Sequence, residues 1–322
     1  MKIRQRSDAV EADQSAVGLP PSELKWLDSD WGQACKTLLL LMAVIGAGVL
    51  LLNSLWAGST VTTALNQALA SPQLWGFVAV GLAAQAIDGS LGMAYGVTAN
   101  SLLMAQGVPP AAATTAVHLS EVFTTGFSGA AHYRLGNFNR RLFLSLLIPG
   151  TVGALSGAWV VSQVDGKLLK PWVSGYLLLM GLYILYKAYR AYRHRQAVQA
   201  RAATAGQIAP LAVLGGFVDS VGGGGWGPVV TTTLLGRGHA PRETIGSVNA
   251  AEFFLTLASG AAFALLVGFG HWPAIVGLVL GGMLAAPFAA LLTHRLQPRQ
   301  LLVMVGLLIS GLSLYNLLRA LG

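Results

Sequence analysis

The feature that most limits this chain is a set of long apolar stretches almost free of charge. The first, CKTLLLLMAVIGAGVLLLNSLWA, fills residues 35–57 with one lysine near its edge. It exceeds the ~20 residues a helix needs to cross the hydrocarbon of a bilayer. Comparable stretches occupy about 142–164, 172–186, 243–267, 273–293 and 300–318. In lipid the backbone must satisfy its own hydrogen bonds, which leaves helices or a closed barrel. A barrel would show alternating strands of ~10 residues, and the sequence has none. Only 10% of residues are charged, against about 25% in a soluble domain. The expected fold class is an all-α polytopic membrane protein.

The net charge of +8 invites a nucleic-acid reading, but the basic residues sit between the apolar stretches. That is the pattern of cytoplasmic loops under the positive-inside rule. A single cysteine, Cys35, excludes an internal disulfide and any CxxC site. Residues 1–34 are polar and mixed in charge and read as a cytoplasmic tail, with a short interfacial helix near Glu23–Trp31. Residues 35–57 then form an extra transmembrane helix.

The rest of the chain repeats. Shifted by 131 residues, Asp88 meets Asp219, and the match runs without a gap to Gly129 and Gly260. Twelve of these 42 positions are identical, among them Gly92/Gly223, Gly96/Gly227, Pro110/Pro241, Glu121/Glu252 and Thr125/Thr256. Two aspartates and two glutamates align in a chain that holds only 12 acidic residues. A first repeat over 73–190 and a second over 207–322 follow, joined by a basic linker at 191–206.

Orientation comes from the loops. KAYRAYRHRQAVQAR (187–201) is the most basic and is placed in the cytoplasm. Counting back through spans at 168–187, 142–164 and 110–134, and outward from a cytoplasmic N-terminus, the segment 73–106 starts and ends outside. A helix over 73–88 is about 24 Å long at 1.5 Å per residue, short of a ~30 Å hydrocarbon core. The segment is expected to be a re-entrant hairpin of two half-helices broken at Asp88–Gly92; a tilted span is the other possibility. The second copy enters from the cytoplasm as a hairpin over 208–236. Spans follow at about 242–268, 272–294 and 299–320. Each copy then has a hairpin and three full spans, and the odd number inverts one against the other. Broken helices meeting near the midplane of inverted repeats are the architecture of secondary transporters.

Both breaks are rich in glycine, DGSLGMAYG and DSVGGGGWG. A half-helix that begins there aims free N–H groups and its positive dipole end into the membrane centre, an anion site without a buried lysine or arginine. Gly92, Met93 and Tyr95 from the first break, and Gly223, Gly224 and Trp226 from the second, are candidate substrate-binding residues. The glycines also suit simple tight helix packing. Asp88 and Asp219 have two available roles, helix cap or ligand of a proton or sodium ion. After each hairpin a helix carries a polar stripe. Thr114, His118, Glu121, Thr125, Ser128 and His132 step by three or four and share one face. Asn249, Glu252, Thr256 and Ser259 occupy the equivalent face. Glu121 and Glu252, near mid-span, are candidates for proton coupling or for clamping the hairpins. His118 and its counterpart Asn249 are candidates for contact with the substrate, with packing as the alternative for the histidine. No cofactor or metal site is implied, and no HExxH or GxSxG motif supports an enzyme.

The first break, followed by GVPPAAATTAVHLSEVFTTGFSGAAHYRLGN (107–137), resembles the TauE/SafE family of sulfite exporters. VDSVGGGGWGPVVTTTLL (218–235) fits the same family. The resemblance covers about 80–320. It implies export of sulfite or small organosulfonates from the cytoplasm across a bacterial inner membrane. The leading expectation is a secondary transporter of a small sulfur oxyanion working by alternating access. The rivals are an organosulfonate or other anion as cargo, and an anion channel. The expected partners are the anionic substrate and the bilayer, with a homodimer also open.

Overall fold

The computed structural model describes residues 60–91, 93–134, 136–193, 205–268, 271–293 and 298–321. The expected tail and the extra transmembrane helix at 35–57 lie outside the described residues, as do residues 194–204 of the basic linker. Among the described residues every regular element is helical. In chain order they are α1 (Thr60–Leu69), α2 (Leu74–Leu91), α3 (Tyr95–Ala105), α4 (Pro110–Arg134), α5 (Arg140–Gln163) and α6 (Gly166–Arg193). Next come α7 (Ala205–Gly222), a π-helical segment π1 (Trp226–Thr231) running into α8 (Thr232–Gly236), α9 (Pro241–Leu266), α10 (Trp272–Thr293) and α11 (Pro298–Leu321). The short helix α1 lies between the expected extra transmembrane helix and the first repeat.

Four helices are long and apolar enough to cross a membrane: α5, α6, α9 and α11. Apolar windows in α2, α7 and α10 are shorter. α4 has the length, 25 residues, but its polar stripe dilutes its hydropathy. Large apolar side chains such as Ile148, Leu168, Trp172 and Leu265 face outward, as a lipid-facing bundle requires. This is a polytopic, all-helical membrane protein.

Local chemistry sets the helix ends. Asn139 caps α5 by accepting a hydrogen bond from the Leu142 N–H at 3.1 Å. Pro241 opens α9 from the first turn, where its missing N–H has no partner to lose. Gly107 and Gly238 end α3 and α8 with φ of 90° and 84°. There the N–H of Val108 and of His239 reaches back to the carbonyl of Leu103 and of Leu234, the six-to-one closure of a Schellman turn.

Two helices are interrupted. α2 gives way to α3 and α7 gives way to π1. The breaks fall later than expected. α2 runs through Asp88 to Leu91, and α7 runs through Asp219 to Gly222. The aspartates thus sit in last turns, and their side chains reach forward to the next segment. The ends Leu91 and Gly222, and the starts Tyr95 and Trp226, are each 131 positions apart. The 18 residues of α2 rise about 27 Å, still short of a full crossing.

The packing partners follow a pattern. α2 lies against α10 and α7 against α5. α4 pairs with α9 and α6 with α11, while α9 also touches α5 and α10 touches α4. Small residues let the backbones close. On α5, Gly153 and Gly157 face Val213 and Phe217 of α7 so tightly that a Cβ would strike backbone. On α10, Gly277 and Gly281 meet Phe77 and Val78 of α2 in the same way. Without a hydrophobic drive in lipid, such close contact is what holds helices together.

Candidate functional site

The site is built where the two breaks meet. In the first, Ala94 takes a left-handed conformation, φ 81°, which a non-glycine residue adopts only when its surroundings enforce it. The Asp88 carboxylate accepts a hydrogen bond from the N–H of Tyr95. In the second, Gly223 and Gly224 have φ of 67° and 154°, open to glycine at no steric cost. Asp219 Oδ1 accepts from the N–H groups of Gly225 and Trp226, at 2.6 and 2.9 Å. Each aspartate therefore satisfies the first donors of the half-helix that follows its break. The breaks touch backbone to backbone: a Cβ on Gly96 would collide with the Gly223 carbonyl and lie 2.6 Å from Gly224 Cα.

A polar cavity opens at this crossing. Its wall includes Met93 to Val97 from the first break and Gly224, Gly225, Gly227 and Pro228 from the second. α4 contributes Glu121, Thr124 and Thr125, and α9 contributes Asn249 and Glu252; Asp88 and Asp219 complete the wall. A second cavity shares Asp88, Thr124, Thr125, Asn249 and Glu252 and continues to Ser128 and His132. Polar space thus extends along the C-terminal half of α4, toward the end that carries Arg134.

The N-terminal half of α4 is closed by hydrogen bonds instead. Asn100 of α3 donates to the Gly222 carbonyl at 2.5 Å and to Thr114 Oγ1 at 3.3 Å. Tyr176 of α6 donates to the Gly224 carbonyl at 2.9 Å. The Tyr95 hydroxyl lies 3.1 Å from Ser120 Oγ and 3.5 Å from the Leu278 carbonyl. Asn316 of α11 donates to the Ser101 carbonyl at 3.2 Å. Asn100, Tyr176 and Asn316 were not singled out from the sequence. They sit in helices without the stepped polar stripe of α4.

The proposed site residues divide into two sets. Met93, Tyr95, Gly224, Asn249 and all four acids, Asp88, Glu121, Asp219 and Glu252, line the cavity. Asn249 also donates to Ser128 Oγ at 2.7 Å. His118, Gly223 and Trp226 are held behind the wall. The Trp226 ring is fully buried and donates to the Val248 carbonyl at 3.2 Å. Gly92 lies outside the described residues. His118 is fully buried, with Nε2 3.3 Å from the Asp219 carbonyl oxygen and Nδ1 2.9 Å from Ser259 Oγ.

His118, Glu121 and Asp219 bring one ligand atom each within 4.8 Å of one another. The histidine is poorly suited to ligate a metal there. Its Nε2 faces two acceptors, the Asp219 carbonyl and, at 4.0 Å, Asp219 Oδ2. A hydrogen on Nε2 satisfies these acceptors and leaves that nitrogen no lone pair for a metal.

The family model described as Sulfite exporter TauE/SafE matches residues 77–316. The chain belongs to this family. It is also 42% identical over 246 residues to the probable membrane transporter protein YtnM of Bacillus subtilis (strain 168), an alignment covering 74% of this chain and 82% of that protein. No solved structure matches. The family match runs from α2 into α11 and includes both breaks and every cavity-lining residue named above. The protein is a multi-pass membrane transporter of the sulfite exporter TauE/SafE family.

Proposed function

We propose that the protein exports sulfite, or a closely related small sulfur oxyanion, across the inner membrane by alternating access. The observation that carries this reading is the crossing itself. Two interrupted helices meet backbone to backbone, and the first turns of both following segments face one buried cavity. Such turns present backbone N–H groups that suit a small oxyanion. The aspartate caps take the Tyr95, Gly225 and Trp226 donors. Gly96, Val97 and Gly227 follow them in the cavity wall, and their N–H groups are the ones assigned to the anion.

The architecture we infer is a pair of inverted repeats, each a re-entrant hairpin plus three spans. The equal 131-residue offsets and the reciprocal packing of α2 on α10 and α7 on α5 support it. The N-terminus is then cytoplasmic, and the polar cavities open toward the cytoplasm through the Arg134 end of α4. The hydrogen-bonded layer around Asn100 and Tyr176 closes the opposite side, which favours a carrier over a channel.

Flux in proteoliposomes tests this reading. Sulfite should move at a saturable rate, faster than chloride or sulfate. Organosulfonate moving in place of sulfite would assign the cargo to the runner-up. Rates that rise linearly to high anion concentration, with unitary currents, would assign a channel. No movement of either sulfur anion under any gradient would end the proposal.

A further inference from the structure

Four carboxylates, Asp88, Glu121, Asp219 and Glu252, line the cavity, and no lysine or arginine among the described residues does. Lys187 stands behind Met93, its Nζ 3.8 Å from the methionine sulfur. An anion entering this space meets acidic groups from α2, α4, α7 and α9. If all four were ionised, their field would oppose the backbone N–H groups that face the cargo.

Two of the four lie close enough for a proton on one to relieve the charge of the other. Glu121 of α4 and Asp219 of α7 bring oxygens within 4.8 Å of each other. Glu121 is 3% exposed and Asp219 1%. Glu121 Oε2 and Asp219 Oδ2 are buried and have no hydrogen-bond partner among the described residues. Two carboxylates this close and this dry repel each other, and one bound proton relieves the repulsion. The Asp219 cap uses Oδ1, so Oδ2 is left for a second task.

The surroundings favour a proton over a metal. His118 of α4 offers the pair an N–H and not a lone pair, as described above. Its Nδ1 meets Ser259, whose hydroxyl has a second acceptor in the Leu255 carbonyl at 2.8 Å. The imidazole keeps its partners whether neutral or protonated. The other titratable groups facing the pair are Asp88 of α2, Tyr95 of α3, Tyr176 of α6 and Glu252 of α9. Both tyrosine hydroxyls are already bonded. Only His118 among these groups has a cationic form.

We propose that the Glu121–Asp219 pair is a proton site that must be loaded for the anion to bind, so that anion and proton share the cavity. The proton passes from cavity water to a carboxylate oxygen, and nothing is oxidised or reduced. This rests on the anion reading above. Net flux then answers to both gradients, and an acid exterior opposes export.

The test uses the full-length chain in nanodiscs, with methanesulfonate as the probe because its charge is constant near neutral pH. Calorimetry reads binding, and an indicator dye in weak buffer reads proton uptake. About one proton should be taken up per anion bound, and affinity should fall about tenfold per pH unit above the titration of the pair. Glu121→Gln should abolish uptake and flatten the pH dependence. Asp219→Asn, which keeps the Oδ1 cap, should do the same if the first variant fails to fold. Binding without uptake, or uptake unchanged in both variants, would overturn the proposal. Binding that needs sodium and takes up no proton would overturn it in favour of a cation site. Infrared spectra give a readout free of any anion. A carbonyl component of a protonated carboxyl should be present at neutral pH and lost in either variant, apart from any component due to Asp88 or Glu252. If neither methanesulfonate nor sulfite binds, the anion reading fails, and the band alone decides the proton site: its absence, or its persistence in both variants, overturns it.

Discussion

Gly96 is the position where one added carbon does most damage. Its Cβ would occupy the space of the Gly223 carbonyl and press on Gly224, and backbone has no rotamer into which to retreat. Gly96→Ala should leave a protein that reaches the membrane but moves anion at least tenfold more slowly, measured as proteoliposome flux normalised to inserted protein. Trp226 makes the opposite case. Its ring is fully buried beneath Gly150 and beside Leu255. Trp226→Ala removes that volume and the bond to the Val248 carbonyl. It should cost about 3–5 kcal/mol, read as a lowered unfolding temperature in detergent. The sequence offers Trp226 as a substrate contact because it belongs to the second glycine-rich break, as Tyr95 belongs to the first. Alignment reports position in a repeat and not the direction of a side chain, and the two rings point into different surroundings. For the aspartates the sequence left cap and ion ligand side by side. The structure gives Asp219 a cap through one oxygen and leaves the other without a hydrogen bond, 4.0 Å from His118 Nε2, so the two roles do not compete.

At the level of elements, the long helices and their order are legible in the sequence, while the junctions and the short α1 are not. Apolar length and the basic loops marked α5, α6, α9, α10 and α11, and the stepped stripe marked α4. The sequence puts the breaks several residues early, because Asp and Gly there resemble the turn itself. The aspartates instead stay helical and cap forward, a geometry that depends on tertiary contact. α1 was missed because its ten residues, TVTTALNQAL, are too few and too polar to signal a span. The glycines that join α5 to α7 carried no signal of their own among 40 in the chain. Their meaning lies in the partner helix. Gly153→Leu would drive a side chain into the Val213 backbone. Overpacking costs about 1–3 kcal/mol where neighbours can yield, and here a backbone blocks the way. The variant should lose its monodisperse peak in size-exclusion chromatography, whereas Gly166→Leu, in open space at the start of α6, should keep it.

At the scale of the molecule, the account depends on which ends of the helices share a side of the membrane. Residues 70 and 106 bracket the proposed first hairpin and should lie together outside, with residue 205 inside. Single cysteines at these sites, in a background with Cys35 replaced, should react with an impermeant thiol reagent from the outside at 70 and 106 only. Reaction of 70 and 106 from opposite sides would convert the hairpin to a span and remove the inverted-repeat reading. The location of the cargo bears on every scale at once. Selenite, a heavier congener of sulfite, can be located by its anomalous scattering in crystals of the full chain. The account predicts one selenium peak at the crossing, within hydrogen-bond reach of the N–H groups of Gly96, Val97 or Gly227 and beside Glu121. A peak elsewhere, or none there in protein that still transports selenite, would contradict it.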